Sequence, residues 1–549
     1  MKRLLTVDDF LTITDDKCID YQNKKFSAYV QHQLYPNSTY FRKLFKERGV
    51  KPEDITCIED WQKRGLPLIT KAEYREHLQD MVIDPWTVDG KERTLDEVIE
   101  GFIRLQEAIG ELETEFTVAN LPQKNITAYF GTENFSTFKE LAKKPSKDSD
   151  AAKKVRQALD YAYKPFTVFF TGGSTGLPTP IRFTKLDRDL CKQATIVEFY
   201  ISGCEWLMKN DGEVRFMQFY PFAPHLGWMG TNWGSEYLSD FLITTSGGGV
   251  LPVEGLILMA SRFQINALVG MPGYLRNKFL RKALELRKLM PDLKFADYVI
   301  CSLGGEKIIP PVRNEIRDML HEMGTKEVRI TGAWSASETR FNFLGECDAF
   351  QETGYHSTGW DKVAYRIVKM KSTDDWEFAN PGEEGFVVQF PMDGAGTLIE
   401  AFLLGDRAVQ LSGPCPVCGS RVERFVNPLR ANELDTQIMV MGLVEQKIKG
   451  ASVNLTDLRT QLMEMPEITE LQVIVSKQDL SDAGSPDILK IHCTPVDDIS
   501  IGEDELIEKV KAKTKVLSEI TPEVKVMDIN ELLGDGLKFK GIVDERPKG

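Results

Sequence analysis

From Phe166 onward the sequence repeats one local pattern: a short apolar run, a glycine-rich turn, then apolar residues at helical spacing. TVFF runs into TGGSTG, YVICSL into GGE, and EVRITG into AWSASE. Strands that each end in a turn and a helix build a mostly parallel α/β sheet, because the helix carries the chain back to start the next strand alongside. No other feature of the chain restricts its fold class as much.

Composition narrows the function classes. At 549 residues the chain has room for roughly three or four domains. Its 42% hydrophobic and 27% charged residues argue against disorder, collagen and coiled coil. No run approaches the ~18–20 apolar residues of a membrane span. The basic tip of MKRLLTVDDF meets Asp8 and Asp9 too soon for a secretory signal, so a cytoplasmic protein is expected. With 68 Lys and Arg against 82 Asp and Glu, the net charge of −14 disfavours binding along a nucleic-acid backbone. Nine cysteines are an odd count for a disulfide framework and point to free thiols or a metal site.

Before Phe166 the text is mostly helical. Residues 26–48 have helical spacing, and Thr94-Leu-Asp-Glu97 is a capping box opening an amphipathic run toward Leu112. Residues 143–154, KKPSKDSDAAKK, predict a polar surface loop. Toward the end, residues 471–475, 488–492 and 524–527 read as strands. Residues 456–465 and 503–520 read as helices, giving a small α+β domain. The texture changes near residues 439–446, which places the expected division at 1–440 and 441–549.

The strongest single stretch for chemistry is Thr171 to Thr179. Gly172, Gly173 and Gly176 let backbone N–H groups converge, and Thr171, Ser174 and Thr175 add hydroxyls, a composition suited to wrapping a polyphosphate. It is not a Walker A loop, since no Gly-Lys-Ser/Thr follows at that spacing. Taken alone, the weaker alternative is an ordinary glycine-rich turn.

The stretch resembles the phosphate-binding signature of the adenylate-forming superfamily, and further motifs follow in that family's order. Pro221-Phe-Ala-Pro-His225-Leu-Gly227 resembles its acyl-pocket motif, and Gly304-Gly305-Glu306 its adenine-stacking turn. Ser337-Glu338, after Thr331-Gly332, is similar to the Tyr-Gly-x-Ser/Thr-Glu segment, and Gly405-Asp406 to the Thr-Gly-Asp that holds the ribose. Gly442-x-x-Glu445-x-x-Ile448-Lys449 resembles the hinge motif, and Leu537-Lys538-Phe-Lys540 the stretch bearing the catalytic lysine. The N-terminal text, TYFRKLFKERGVKPEDITCIEDWQKRGLPLITK, is closest to the phenylacetate–CoA ligase branch. The resemblance excludes roughly residues 81–165, an apparent insertion.

Pattern and resemblance together predict an α/β fold: a large N-terminal part of several subdomains with doubly wound sheets, plus a small, mobile C-terminal α+β domain. The resemblance implies ATP-dependent activation of an aryl or acyl carboxylic acid to an acyl-adenylate, followed by transfer to coenzyme A. Adenylation with hand-over to a carrier-protein thiol or another acceptor is the alternative. ATP, Mg²⁺ and coenzyme A are the implied cofactors, with a homo-oligomer left open. Glu338 is expected to hold Mg²⁺, Asp406 the ribose, and Lys538, in preference to Lys540, the charge between carboxylate and α-phosphate. Ser337 and Lys449 are expected at the nucleotide, and Glu445 as the hinge.

Some positions depart from the family. Leu177 stands where many members carry a lysine in the phosphate loop, so a counter-charge must come from elsewhere, with Arg182 or Lys185 as candidates. Thr331 replaces a tyrosine, and Leu443 and Glu445 replace the hinge arginine and aspartate. His225 reads equally as an acyl-pocket residue or a buried core histidine, and Phe219, Tyr220, Phe222 and Trp228 as an aromatic acid pocket or as core.

Cys415-Pro-Val-Cys418 has knuckle spacing, and Cys347 and His356 lie upstream. Three thiolates and one imidazole suit a closed tetrahedral structural Zn²⁺ site. A free pair or a redox motif is the alternative, the latter disfavoured because this CxxC does not open a helix. Some phenylacetate–CoA ligase relatives have a similar Cys/His arrangement.

Overall fold

The computed structural model describes residues 10–113, 149–171, 179–222, 225–245, 251–305, 308–347, 353–430, 446–448, 451–453, 455–480, 487–518, 520–534 and 539–546. The chain forms two compact units. The first comprises Met1–Val214, Phe222–Leu242 and Thr331–Arg430, and the second Arg215–Pro221, Ile243–Ile330 and Ala431–Gly549. The fold class is α/β as expected, with a large multi-strand sheet and a C-terminal sheet-and-helix module. Among the described residues no helix is long and apolar enough to cross a membrane.

In the first unit the helical N-terminal region folds onto an antiparallel ladder. Helix Asp15–Tyr29 continues through a π turn, Val30–Leu34, and breaks at Ser38. The Ser38 hydroxyl accepts from the Phe41 N–H and starts helix Thr39–Glu47, so residues 26–48 form two helices rather than one. Phe26, Phe41 and Phe45 close around the fully buried Trp61, and Phe26 meets Phe390 of the ladder edge-on at 5.8 Å. Each such aromatic contributes roughly 1.5–3 kcal/mol of burial. The ladder pairs Val363–Met370 with Glu384–Pro391, then Phe402–Leu411, then Arg424–Arg430, all antiparallel.

Two expectations are corrected here. TVFF is strand Pro165–Phe170, but it pairs antiparallel with Pro180–Thr184 in a sheet of two strands, so the next described element is a strand rather than a helix. The polar segment 143–154 is no loop from Ser149 on, where helix Ser149–Tyr163 begins. Buried Leu159, Ala162 and Tyr163 lie in its last turns, and the polar residues before them are the start of an amphipathic helix. The capping box at Thr94 forms as read: the Thr94 N–H donates to Glu97 at 2.7 Å, the Glu97 N–H to the Thr94 hydroxyl at 3.3 Å, and helix Leu95–Glu113 follows.

The second unit holds the parallel strands. Arg215–Gln218, Ala267–Gly270 and Tyr298–Gly304 lie side by side with helices between them in sequence. Ala267–Gly270 is buried at every position, as an interior parallel strand must be. The C-terminal module of the same unit pairs Ile468–Lys477 antiparallel with Asp487–Pro495 and adds Glu523–Val526 and Ile542–Asp544 as parallel edges. Helices Leu455–Met463 and Glu503–Ser518 bury Leu458, Leu462, Leu506 and Val510 in its core. This module groups with residues 243–330 in the second unit. Fully buried Arg276 ties the two parts, donating to Glu315 and Glu470 at 2.6 Å each. The expected boundary, with Glu445 and Lys449, lies outside the described residues.

Candidate active site and Cys/His cluster

The hairpin Pro165–Phe170/Pro180–Thr184 closes at Thr171, whose N–H donates to the Thr179 carbonyl at 3.1 Å. A six-residue helix, Lys71–Glu76, capped by the Thr70 hydroxyl, packs its side chains along this mouth. Tyr74 donates to the Pro180 carbonyl at 2.6 Å and Arg75 to the Thr179 hydroxyl at 2.8 Å. Lys71 Nζ donates to Thr171 Oγ1 at 2.8 Å and to Glu338 Oε1 at 3.0 Å. Glu338 lies in a short 3₁₀ turn, Ser337–Thr339, and its side chain is 8% exposed. Its backbone carbonyl accepts from Gln389 at 3.0 Å, which fixes the turn against the ladder.

The expected sources of counter-charge are elsewhere. Arg182 spends its guanidinium on the Leu78 carbonyl and the Gln79 side chain, and Lys185 lies over the Tyr161 ring. Lys71 is the cation that reaches Thr171, and motif reading missed it.

Other expected site residues are placed singly. Asp406 is buried in strand Phe402–Leu411, just after Gly405 at φ +76°, a left-handed value that favours glycine. In the second unit Gly304 ends its strand, and Gly305 turns at φ +83° beside Met271 and Tyr220. His225 is solvent-exposed, with Nδ1 2.7 Å from the Phe170 carbonyl, so it is not a core histidine. Phe219 is core, packed on Tyr274 and Phe279 in the second unit. Phe222, 69% exposed, packs edge-on against Trp228 in the first. Gly172, Gly173, Ser174, Thr175, Gly176, Glu306 and Lys538 lie outside the described residues. Lys540 is exposed, and its carbonyl accepts from Gln472 at 2.7 Å.

Cys347, His356, Cys415 and Cys418 come together, with ligand atoms all within 4.8 Å of one another. His356 sits on strand Tyr355–Ser357, opposite Gly345 on one side and Arg424 on the other. Cys415 and Cys418 sit on one tight turn, closed by hydrogen bonds from the Cys415 N–H to Ser420 at 2.8 Å and from the Gly419 N–H to Cys415 at 3.0 Å. Arg424 donates to the Thr353 carbonyl at 2.8 Å and the Gly413 carbonyl at 3.1 Å, clasping the segments on either side.

The sulfurs of Cys347 and Cys415 are 3.6 Å apart, and Cys418 Sγ is 3.4 Å from His356 Nε2. Usual Zn–S and Zn–N bond lengths give tetrahedral edges of about 3.5–3.8 Å, so the donor set fits zinc. His356 Nδ1 faces the Gly345 carbonyl at 3.2 Å, the arrangement that leaves Nε2 for a metal. Mutual hydrogen bonding pushes the Cys347 thiol up and the Cys415 thiol down. Burial disfavours the His356 imidazolium, but the Cys415 and Cys418 sulfurs outweigh it and hold the ring up to about 9.

The fold is shared with solved structures of 2-hydroxyisobutyryl-CoA ligase. The chain superposes on 2-hydroxyisobutyryl-CoA ligase in the postadenylation state with 2-HIB-AMP at a TM-score of 0.62, covering 96% of this chain and 89% of that one at 13% identity. The complex of the same ligase with R3-HIB-AMP gives 0.61 over the same shares, also at 13% identity. Its thioesterification state with 2-HIB-AMP and CoA gives 0.50, at 13% identity, over 98% of this chain and 92% of that chain. No family model and no curated protein matches the sequence.

Proposed function

We propose that this chain activates a carboxylic acid, aryl or acyl, with ATP and passes the acyl group from the adenylate to coenzyme A, as a phenylacetate–CoA ligase does. The observation that carries the reading is Lys71 Nζ, bonded at once to Thr171 of the glycine-rich loop and to Glu338.

A carboxylate is a poor acyl donor because oxide would have to leave. Attack of its oxygen on the α-phosphorus of ATP expels pyrophosphate and gives an acyl-adenylate, from which AMP can leave when a thiol attacks. The first step brings anions together, so catalysis is positioning and neutralisation of charge. Lys71 supplies a fixed cation beside the loop, replacing the lysine absent at Leu177. Glu338 offers one hard oxygen donor for Mg²⁺, which neutralises phosphate charge when bound. The family resemblance assigns Asp406 to the ribose hydroxyls, Gly304 and Gly305 to adenine, and Lys538 to the charge at the α-phosphate. Ile542–Asp544 pairs parallel with Ile468–Lys477.

The Cys/His cluster holds a structural Zn²⁺ in this reading. Four protein donors leave no open position for an activated water, so the ion pins loops of the first unit and takes no part in the chemistry.

The test is acid-dependent exchange of pyrophosphate into ATP across a panel of aryl and fatty acids. Exchange with at least one acid supports adenylation. Its absence with every acid, in protein that binds ATP, removes the proposal.

A further inference from the structure

Two residues after Glu338, the backbone adopts a strained form. Arg340 has φ +53° and ψ −65°, and the Phe341 N–H donates to the Thr339 carbonyl at 2.6 Å. This is a three-residue γ-turn of the rare, unfavourable sense, carried by a residue that is not glycine. Such a conformation persists only where the surroundings over-determine it.

The surroundings are a buried ion pair. The Arg340 side chain is 1% exposed, lies over the Phe341 ring at 4.5 Å, and pairs with Asp187 Oδ1 at 3.7 Å. Among the described residues neither Nη1 nor Nη2 has a hydrogen-bond partner, so the ion pair is the anchor. Asp187 is itself immobilised. It is fully buried, its carboxylate accepts from the Thr184 N–H at 3.0 Å and the Ala395 N–H at 2.7 Å, and its own N–H donates to the Thr184 hydroxyl at 3.2 Å. A Cβ at Gly394 or Gly396 would come within 2.7 Å of its oxygens, so the pocket is moulded around the carboxylate. Burial pushes the Asp187 carboxyl up to about 6, with Arg340 pulling it back. Thr184 ends the returning strand of the Thr171 hairpin, so the same carboxylate is fixed to the arm of that loop.

We infer that Arg340 is a positioning residue for Glu338: its buried pair with Asp187 holds the γ-turn and so fixes the Ser337–Thr339 turn that presents the Glu338 carboxylate to the metal–nucleotide complex. The inference rests on the reading of Glu338 as the metal-binding carboxylate. Without the anchor the γ-turn relaxes to an ordinary backbone conformation, and the residues before it rotate. A merely structural Arg340 would instead do no more than neutralise Asp187.

The experiment measures Mn²⁺ binding by electron paramagnetic resonance, with a non-hydrolysable ATP analogue and the full chain, alongside thermal melting. Arg340→Met leaves Asp187 buried and unpaired, so the melting temperature falls. The double variant Asp187→Asn/Arg340→Met removes both charges and recovers much of it. The inference predicts that both variants bind Mn²⁺ about tenfold more weakly, the size of effect usual for groups that orient a metal ligand. A double variant that melts and binds Mn²⁺ like the parent overturns it. Should those variants fail to fold, Arg340→Lys keeps the pair and retains affinity, whereas Arg340→Gly tolerates the φ angle, lacks the anchor and loses it. A glycine variant with parental affinity also overturns the inference. Glu338→Gln reports on the underlying reading: if Mn²⁺ affinity is unchanged there, Glu338 is not a metal ligand and the inference falls with it.

Discussion

The Lys71 ammonium lies 3.0 Å from the Glu338 carboxylate and 2.8 Å from the Thr171 hydroxyl, across sequence separations of 267 and 100 residues. One cation from a short N-terminal helix thus joins the glycine-rich loop to the acidic turn. It faces partly to solvent, 28% exposed, while its carboxylate partner is 8% exposed.

Lys71→Ala is expected to lower acid-dependent pyrophosphate exchange by on the order of 10²-fold, the usual effect of removing one focused donor from a charge-stabilising site. Lys71→Arg should keep part of the activity. Exchange at the parental rate in Lys71→Ala would show that the contact is structural only.

The Cys/His cluster was legible in the sequence for a chemical reason, and the glycine-rich stretch draws notice the same way. Three glycines among hydroxyls at residues 171–179, and a CxxC turn, announce themselves through residue types that few other structures require. Lys71 was not legible, since nothing local marks a lysine whose partners are brought to it by the fold. Arg340 was hidden for a different reason, because a left-handed φ shows in sequence only when glycine carries it. Helix Ser149–Tyr163 was misread because its first turns are polar and its buried Leu159, Ala162 and Tyr163 fall late. TVFF was read correctly as a strand but wrongly paired, since an apolar run does not state the direction of its neighbour.

Lys538→Ala should suppress adenylation by on the order of 10²–10³-fold while the melting temperature stays near the parent. Lys540→Ala should be mild, as its side chain is exposed and its anchoring contact is through the backbone carbonyl. The opposite ranking would move the catalytic charge by two residues.

Protein purified without a histidine tag should contain about one zinc per chain by elemental analysis, as a closed set of three thiolates and one imidazole requires. Cys415→Ser and Cys347→Ser should each lose the metal and lower the melting temperature. Metal-free protein of full stability would return the four residues to ordinary thiols and a core histidine.

The same cluster gives a pH test with opposite signs. In stripped protein His356 is held up to about 9, above its unfolded value near 6.5, so its contribution to stability is complete below pH 6.5 and lost as pH rises through 9. With zinc bound the ligands are deprotonated, so metal binding releases protons and strengthens over that window. The gap in melting temperature between loaded and stripped protein should therefore widen from pH 6.5 to 9. A gap that stays constant would count against His356 as a ligand.

The central claim, acyl transfer through an adenylate to coenzyme A, is tested most directly by a single-turnover reaction of the full chain with ATP, Mg²⁺ and the acid that best supports pyrophosphate exchange. Acyl-CoA is followed by mass spectrometry, and AMP alongside it. The account predicts that the acyl-adenylate accumulates on the enzyme without CoA, and that adding CoA converts it to acyl-CoA with release of one AMP per thioester. An adenylate that forms but persists unchanged when CoA is added would contradict it.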